Sequence, residues 1–116
     1  MPARAEFSVP VRTGTSDGAD TDSNLYLTIH GSLGNTGEIR LNALRGNDVF
    51  ERGANEVFTF QAANVGEITA VVVRSDGQFM GSSWQLDAIS VRHSQAGAVF
   101  ERGVNRWMDG GQVVIR

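Results

Sequence analysis

The stretch Trp84-Gln-Leu-Asp-Ala-Ile-Ser-Val91 puts Trp84 and Leu86 on one face of an extended chain. In a strand successive side chains point to opposite faces, so a period of two marks one buried face. After Leu86 the pattern slips, and Ile89 and Val91 resume the apolar face one residue late. A β-bulge near Asp87-Ala88 explains the slip. The same period recurs on either side. Phe7, Val9 and Val11 alternate with Ser8, Pro10 and Arg12, and Leu25, Leu27 and Ile29 with Tyr26, Thr28 and His30. Ile39 and Leu41 read as a short third strand, and Phe58 and Phe60 alternate with Thr59 and Gln61. Ile68 to Val73 is nearly continuous β-branched residue, the pattern of a strand covered on both faces. Val99 to Val104 and Gln112 to Ile115 complete the set, and no segment reads as an amphipathic helix.

Turn clusters rich in Gly, Asn, Asp and Ser separate these strands. Strands with one apolar face each are buried by packing two sheets together. The expected fold is therefore all-β: an eight-stranded antiparallel β-sandwich of two four-stranded sheets. Pro10 is expected on an edge strand or at a bulge, because it has no N–H to give a ladder. The 116 residues suffice for one core, so residues 1–116 are read as a single domain. Val49-Phe-Glu-Arg-Gly-Ala-Asn55 returns as Val99-Phe-Glu-Arg-Gly-Val-Asn105. The flanking residues do not match, so these are read as two similar strand-initiating turns rather than a duplicated half-domain.

Composition narrows the function. The net charge of −3 argues against general nucleic-acid binding. The absence of cysteine excludes disulfides, thiolate metal sites and cysteine nucleophiles. No apolar run has the length of a membrane span, and Met1 to Phe7 shows no signal-peptide core. His30 and His93 lie in strand patterns far apart, and no Gly-x-Ser-x-Gly elbow, phosphate loop or zinc spacing is present. No nucleophile–base set can be assembled, so the chain is not read as an enzyme.

The strongest local feature is acidic. Asp17, Asp20 and Asp22, with Thr21 and Asn24, crowd oxygen atoms onto one short loop. Calcium takes six to eight oxygen ligands, but the spacing is not that of an EF-hand, and an Asx-rich solvated turn has the same composition. A second loop presents Asn42, Asn47 and Asp48 around Gly46. A third, Gly77-Gln-Phe-Met-Gly-Ser-Ser83, sets Phe79 and Met80 between glycines. These two either fold back over the end of the sandwich or meet an apolar partner.

Taken in order, the motifs resemble the PLAT (lipoxygenase-homology) family. Thr13-Gly-Thr-Ser-Asp-Gly-Ala-Asp-Thr-Asp22 is similar to its opening loop, and Gly31 to Gly37 to its Gly-rich turn. Phe50-Glu-Arg-Gly53 followed by Phe58 is similar to its Phe-x-Arg-Gly element, and Gly66-Glu-Ile-Thr69 to the start of its central strand. Trp84-Gln-Leu-Asp-Ala-Ile89 resembles its Trp-x-Leu-Asp-x-Val signature, and Trp107 its late Asn-x-Trp. The chain departs from the pattern at Ala19-Asp20-Thr21-Asp22, where the family has Gly-Thr-Asp, and at Ser75-Asp76, where it has His-Asp.

The resemblance implies a non-catalytic calcium-binding module that targets a membrane or lipid surface. Thr21, Asp22, Asn47 and Asp48 would share one Ca2+. Asp17 and the backbone of Asp20 would form another site, completed by Ser82 or its neighbours. Phe79 and Met80 would contact the membrane, and two bound ions would bring the charge from −3 to about +1, favouring anionic lipid. Trp84 and Trp107 fall at the family's core positions. The alternative is a protein–protein interaction module with the same fold. A carbohydrate-binding sandwich would need a row of exposed aromatics, for which Tyr26 is the one candidate outside the core pattern.

Overall fold

The computed structural model describes residues 4–15, 24–45, 50–51, 53–75, 84–93, 98–108 and 111–116. The elements are β1 (Arg4–Thr13), β2 (Leu25–Gly31), β3 (Gly34–Asn35), β4 (Ile39–Arg40), α1 (Asn42–Arg45), β5 (Asn55–Ala63), β6 (Ile68–Ser75), β7 (Trp84–His93), β8 (Ala98–Met108) and β9 (Gly111–Ile115). One sheet has the order β5-β1-β7-β8. The other has the order β3-β2-β6-β9, with β4 also paired to β2. Every pairing is antiparallel.

The alternation read from sequence decides what lies between the sheets. Phe7, Val9 and Val11 of β1 face Leu25, Leu27 and Ile29 of β2 and Val71 and Val73 of β6 in a continuous core, with Trp84, Leu86, Ile89 and Val91 of β7. Fully burying one such side chain stabilises by about 1.5–3 kcal/mol over leaving it in water. Ring contacts order the interior: Phe7 stacks on Phe60 at 5.5 Å, Phe50 stacks on Phe58 at 5.5 Å, and Trp84 meets Phe50 edge-on at 5.3 Å. The expected bulge is present, as the β7–β8 register shifts between Leu86 and Ala88. β6 runs between β2 and β9. Its inner Val71 and Val73 are buried, and its outer Val72 is half-buried.

Several expectations are corrected. Among the described residues the sandwich has four strands in one sheet and five in the other, because a short hairpin after β2 adds the two-residue β3. The third strand is Ile39–Arg40 alone; Leu41 turns inward, 1% exposed, and one helical turn follows. Pro10 is not on an edge, because β1 lies between β5 and β7. The ladder accommodates it by a gap: β1–β7 pairs run through Ser8↔Arg92 and resume only at Val11↔Ile89. The missing proline N–H falls at that gap. Trp84 is fully buried as expected, but Trp107 is 47% exposed and is not a core residue. It lies opposite Gln85 on the edge strand β8, on the outer side of its sheet. The second Phe-Glu-Arg-Gly copy is not a strand-initiating turn either, since it lies inside the eleven-residue β8.

Candidate functional site

Strand directions gather the three loops of interest. β1 ends at Thr13, beside Leu86 of β7. Leu25, which opens β2, pairs with Ser75, which closes β6. Asn55, which opens β5, pairs with Arg12. The chain thus leaves and re-enters the sandwich at one end for residues 16–23, 46–49 and 76–83. Asp17, Asp20, Thr21, Asp22, Asn47, Asp48, Phe79, Met80 and Ser82 lie in those segments, outside the described residues. Asn24 and Asn42 are the members of the candidate set that are described.

The described floor of this end is polar. Among the described residues the buried polar ones are Thr13, Asn42, Glu56, Ser75 and His93, and all but His93 belong to it. Thr13 Oγ1 accepts the indole N–H of Trp84 at 3.0 Å, which ties the last residue of β1 to the first of β7. Asn42 is 7% exposed, and its Oδ1 accepts the Leu25 amide at 2.8 Å. Leu41 donates its amide to the Leu25 carbonyl at 2.8 Å. Leu25 is therefore held on both its backbone groups, and α1 is locked to the start of β2. Asn24, read as a further oxygen source, accepts Arg40 Nε at 3.1 Å. Glu56 Oε1 accepts the Phe50 amide at 2.8 Å. Ser75 Oγ is buried with no hydrogen-bond partner among the described residues. Buried hydroxyls are nearly always partnered, so this orphaned oxygen is unusual. At the opposite end His93 Nε2 meets Asn64 Oδ1 at 2.9 Å beneath Phe7, a packing role.

This chemistry fits a hard cation. Asp17, Asp20, Asp22 and Asp48 would supply carboxylates, Asn47 an amide oxygen and Ser75 a hydroxyl, all oxygen donors of the kind calcium takes, whereas the Asn42 oxygen is already engaged by the Leu25 amide. Among the described residues no three His, Cys, Asp or Glu side chains gather around a common point. Sequence reasoning missed Glu56 and Ser75. Both continue inward-facing apolar rows, and a polar residue at an apolar position was the available signal.

The outer faces differ in chemistry. On the five-stranded sheet Arg74 lies 4.1 Å over the Tyr26 ring and forms a two-pronged pair with Glu38 at 2.7 and 2.8 Å. The Arg74 hydrogen bond holds the Glu38 carboxyl below its usual value. Tyr26 is thus covered, and the exposed Trp107 belongs to the other sheet, so among the described residues no aromatic row exists for a sugar.

Residues 7–115 match the PLAT/LH2 domain family. This chain belongs to that family. It is 43% identical over 89 residues to lipoxygenase homology domain-containing protein 1 of Mus musculus, covering 76% of this chain and 4% of that protein. It is 31% identical over 107 residues to the allene oxide synthase-lipoxygenase protein of Plexaura homomalla, covering 90% of this chain and 10% of that one. Among solved structures, a coral 8R-lipoxygenase described as calcium-activated through a C2-like domain superposes with a TM-score of 0.85 at 29% identity, over 95% of this chain and 16% of that one. The PLAT chain thus spans a small fraction of each relative. The match is to the lipoxygenase-homology domain alone, and no catalytic domain is evident in it.

Proposed function

We propose that this PLAT domain is a non-catalytic calcium-binding module that docks on a membrane or lipid surface. The observation that carries the reading is the convergence of three loop-bearing segments on one end, above a buried polar floor of Thr13, Asn42, Glu56 and Ser75. Thr21, Asp22, Asn47 and Asp48 would hold one calcium ion, and Asp17, Asp20 and Ser82 would contribute to another. Bound calcium would supply positive charge at this end. Phe79 and Met80 would enter the acyl boundary, each contributing up to about 1.5–3 kcal/mol if fully buried. Trp107, half-exposed one register step from the start of β7, suits the headgroup level, where a ring with an apolar body and a polar N–H is favoured. The calcium activation described for the coral 8R-lipoxygenase supports the metal half of the reading.

Liposome co-sedimentation, with calcium or chelator, tests both halves. Calcium-dependent sedimentation is expected, lost in Asp22→Ala and Asp48→Ala and retained in Asp109→Ala. Phe79→Ser with Met80→Ser should abolish sedimentation but leave calcium affinity intact. Sedimentation indifferent to calcium would sink the reading.

A protein-interaction role has its own supporting observation. At the Pro10 gap the outer face of the four-stranded sheet carries a cavity of about 220 Å³ lined in part by Pro10, Val57, Ala88 and Ser90, with Val57 45% exposed. Loss of partner capture in Val57→Asp, with lipid binding unchanged, would favour this second role.

A further inference from the structure

We infer that the cavity at the Pro10 gap is a subsite for a phenol or indole ring, delivered as a tyrosine or tryptophan side chain of a partner protein, which rests on the protein-interaction role above and not on calcium. Thr13 gives its amide to Ala54 at 3.0 Å, ahead of β5, and Gly14 gives its own to Gln85 of β7 at 2.9 Å. Backbone groups of successive strand residues point to opposite sides. The even residues of β1 therefore turn towards β7. The register of Ser8↔Arg92 and Val11↔Ile89 sets Pro10 opposite Ser90. Two pairs are absent from that ladder, Val9↔Val91 and Pro10↔Ser90. These are the two that need an N–H from residue 10 to the Ser90 carbonyl, and proline has none. Among the described residues no other donor reaches that carbonyl. Carbonyls inside a sheet are nearly always paired, with protein or with water, so this one is an acceptor open to an outside donor.

The cavity lies at the same gap. Its lining includes both sides of the gap, Pro10 and Ser90, with Val57 and Ala88, and its volume is about 220 Å³. An apolar cavity of about 150 Å³ already admits a benzene ring. The charged lining residues are engaged within the chain. Arg12 Nε donates to Asn55 at 3.0 Å, and Arg12 Nη1 lies 3.6 Å from an Asp87 carboxylate oxygen. Glu56 accepts the Phe50 amide. The occupant that fits is neutral, apolar and of single-ring size, with one donor for the Ser90 carbonyl. Among protein side chains, tyrosine and tryptophan join an apolar ring to a donor, and both are enriched at protein interfaces. Water satisfies the carbonyl equally well but gains nothing from covering Val57, which is 45% exposed.

The test titrates the 116-residue chain with three probes and follows backbone amide shifts by NMR. The probes are p-cresol, toluene, which lacks the hydroxyl, and N-acetyltyrosinamide, which carries the ring on a peptide backbone. Saturable shifts at Val57, Ala88 and Ser90 are expected with p-cresol and N-acetyltyrosinamide. Affinity for p-cresol should exceed that for toluene by about threefold to tenfold, the worth of one hydrogen bond. Pro10→Ala returns the missing N–H, and slow exchange of the new amide at position 10 shows the ladder closed. The preference for p-cresol over toluene should then vanish. Ala88→Leu keeps the gap, fills the cavity and should abolish binding of both. Where Pro10→Ala does not fold, or its new amide exchanges freely, Ala88→Leu decides: loss of binding supports the subsite and parental binding overturns it. Absent or unsaturable p-cresol shifts in the parent, equal affinity for p-cresol and toluene, or an undiminished preference in ladder-closed Pro10→Ala each overturn the inference. Exclusion of N-acetyltyrosinamide while p-cresol binds assigns the site to a free phenol and removes the protein-interaction role. A protein partner lost in Val57→Asp but bound equally by parent and Pro10→Ala keeps that role and overturns the subsite.

Discussion

Phe50-Glu-Arg-Gly53 and Phe100-Glu-Arg-Gly103 have the same four residues in two different settings. The first precedes β5 as a turn. Ala54 donates to the Glu51 carbonyl, Gly53 to Gly14, and Thr13 to Ala54, so the turn is laced to the end of β1. Phe50 and Gly53 are both left-handed there. The second copy is extended, paired residue by residue with β7 from Phe100↔Val91 to Gly103↔Ala88. Its left-handed residue is displaced to Asn105, with φ of 46°, next to where the β7–β8 register shifts. Four residues do not choose between these outcomes. Their downstream neighbours do: Glu56 accepts the Phe50 amide, whereas Arg106 has no side-chain oxygen to offer. Their pairing partners do too: the end of β1 for one copy, the full length of β7 for the other.

The sharpest way to break this contrast is to delete the aromatic anchor in each copy. Phe50→Ala removes a fully buried ring in contact with two others and should cost about 3–5 kcal/mol in urea unfolding. Phe100 is also buried, 3% exposed, but Phe100→Ala should cost less, because it lies on an edge strand with the Arg102 guanidinium 4.2 Å over its ring. Equal losses would mean that the two anchors are equivalent despite their settings.

Calcium should also tell the copies apart. On the proposed reading, a hundredfold excess over Kd stabilises the fold by about 2.7 kcal/mol. In native-state hydrogen exchange under conditions of local opening, added protection should concentrate at residues 50–56 and be small at residues 99–105. Equal gains in both stretches would separate calcium from the first turn.

Glycine substitution should give opposite signs. Gly53→Ala forces a side chain onto φ of 75° and should destabilise by about 1–2 kcal/mol. Gly103→Ala meets nothing within 4 Å and needs no positive φ, so it should be neutral or stabilise by about 0.5–1 kcal/mol. Thermal melts of the pair would check this, and the same sign in both would refute the turn-versus-strand assignment. The smallest effect is expected from Arg106→Glu. An exposed change on an extended strand should stay within about 0.5 kcal/mol, and it should not by itself turn the second copy into the first, as circular dichroism and amide shifts at Phe100 would report.

Part of this molecule was determined by local pattern alone. The period of two in β1, β2, β5 and β7 determined which residues face inward, because a strand has only two faces and water selects the polar one. The extra residue after Leu86 determined the bulge for the same reason. The order of glycine, aromatic and aspartate motifs determined the family, and the acidic loops were marked by composition. Tertiary structure decided the rest. It put Pro10 in a central strand, because strand order is set by pairing partners distant in sequence and a single ladder gap can absorb a missing N–H. It left Trp107 half-exposed, because β8 has a neighbour on one side only. It gathered Asn42, Glu56 and Ser75 beneath one end, an arrangement that no local period encodes, since two strands and a helical turn must first be brought together.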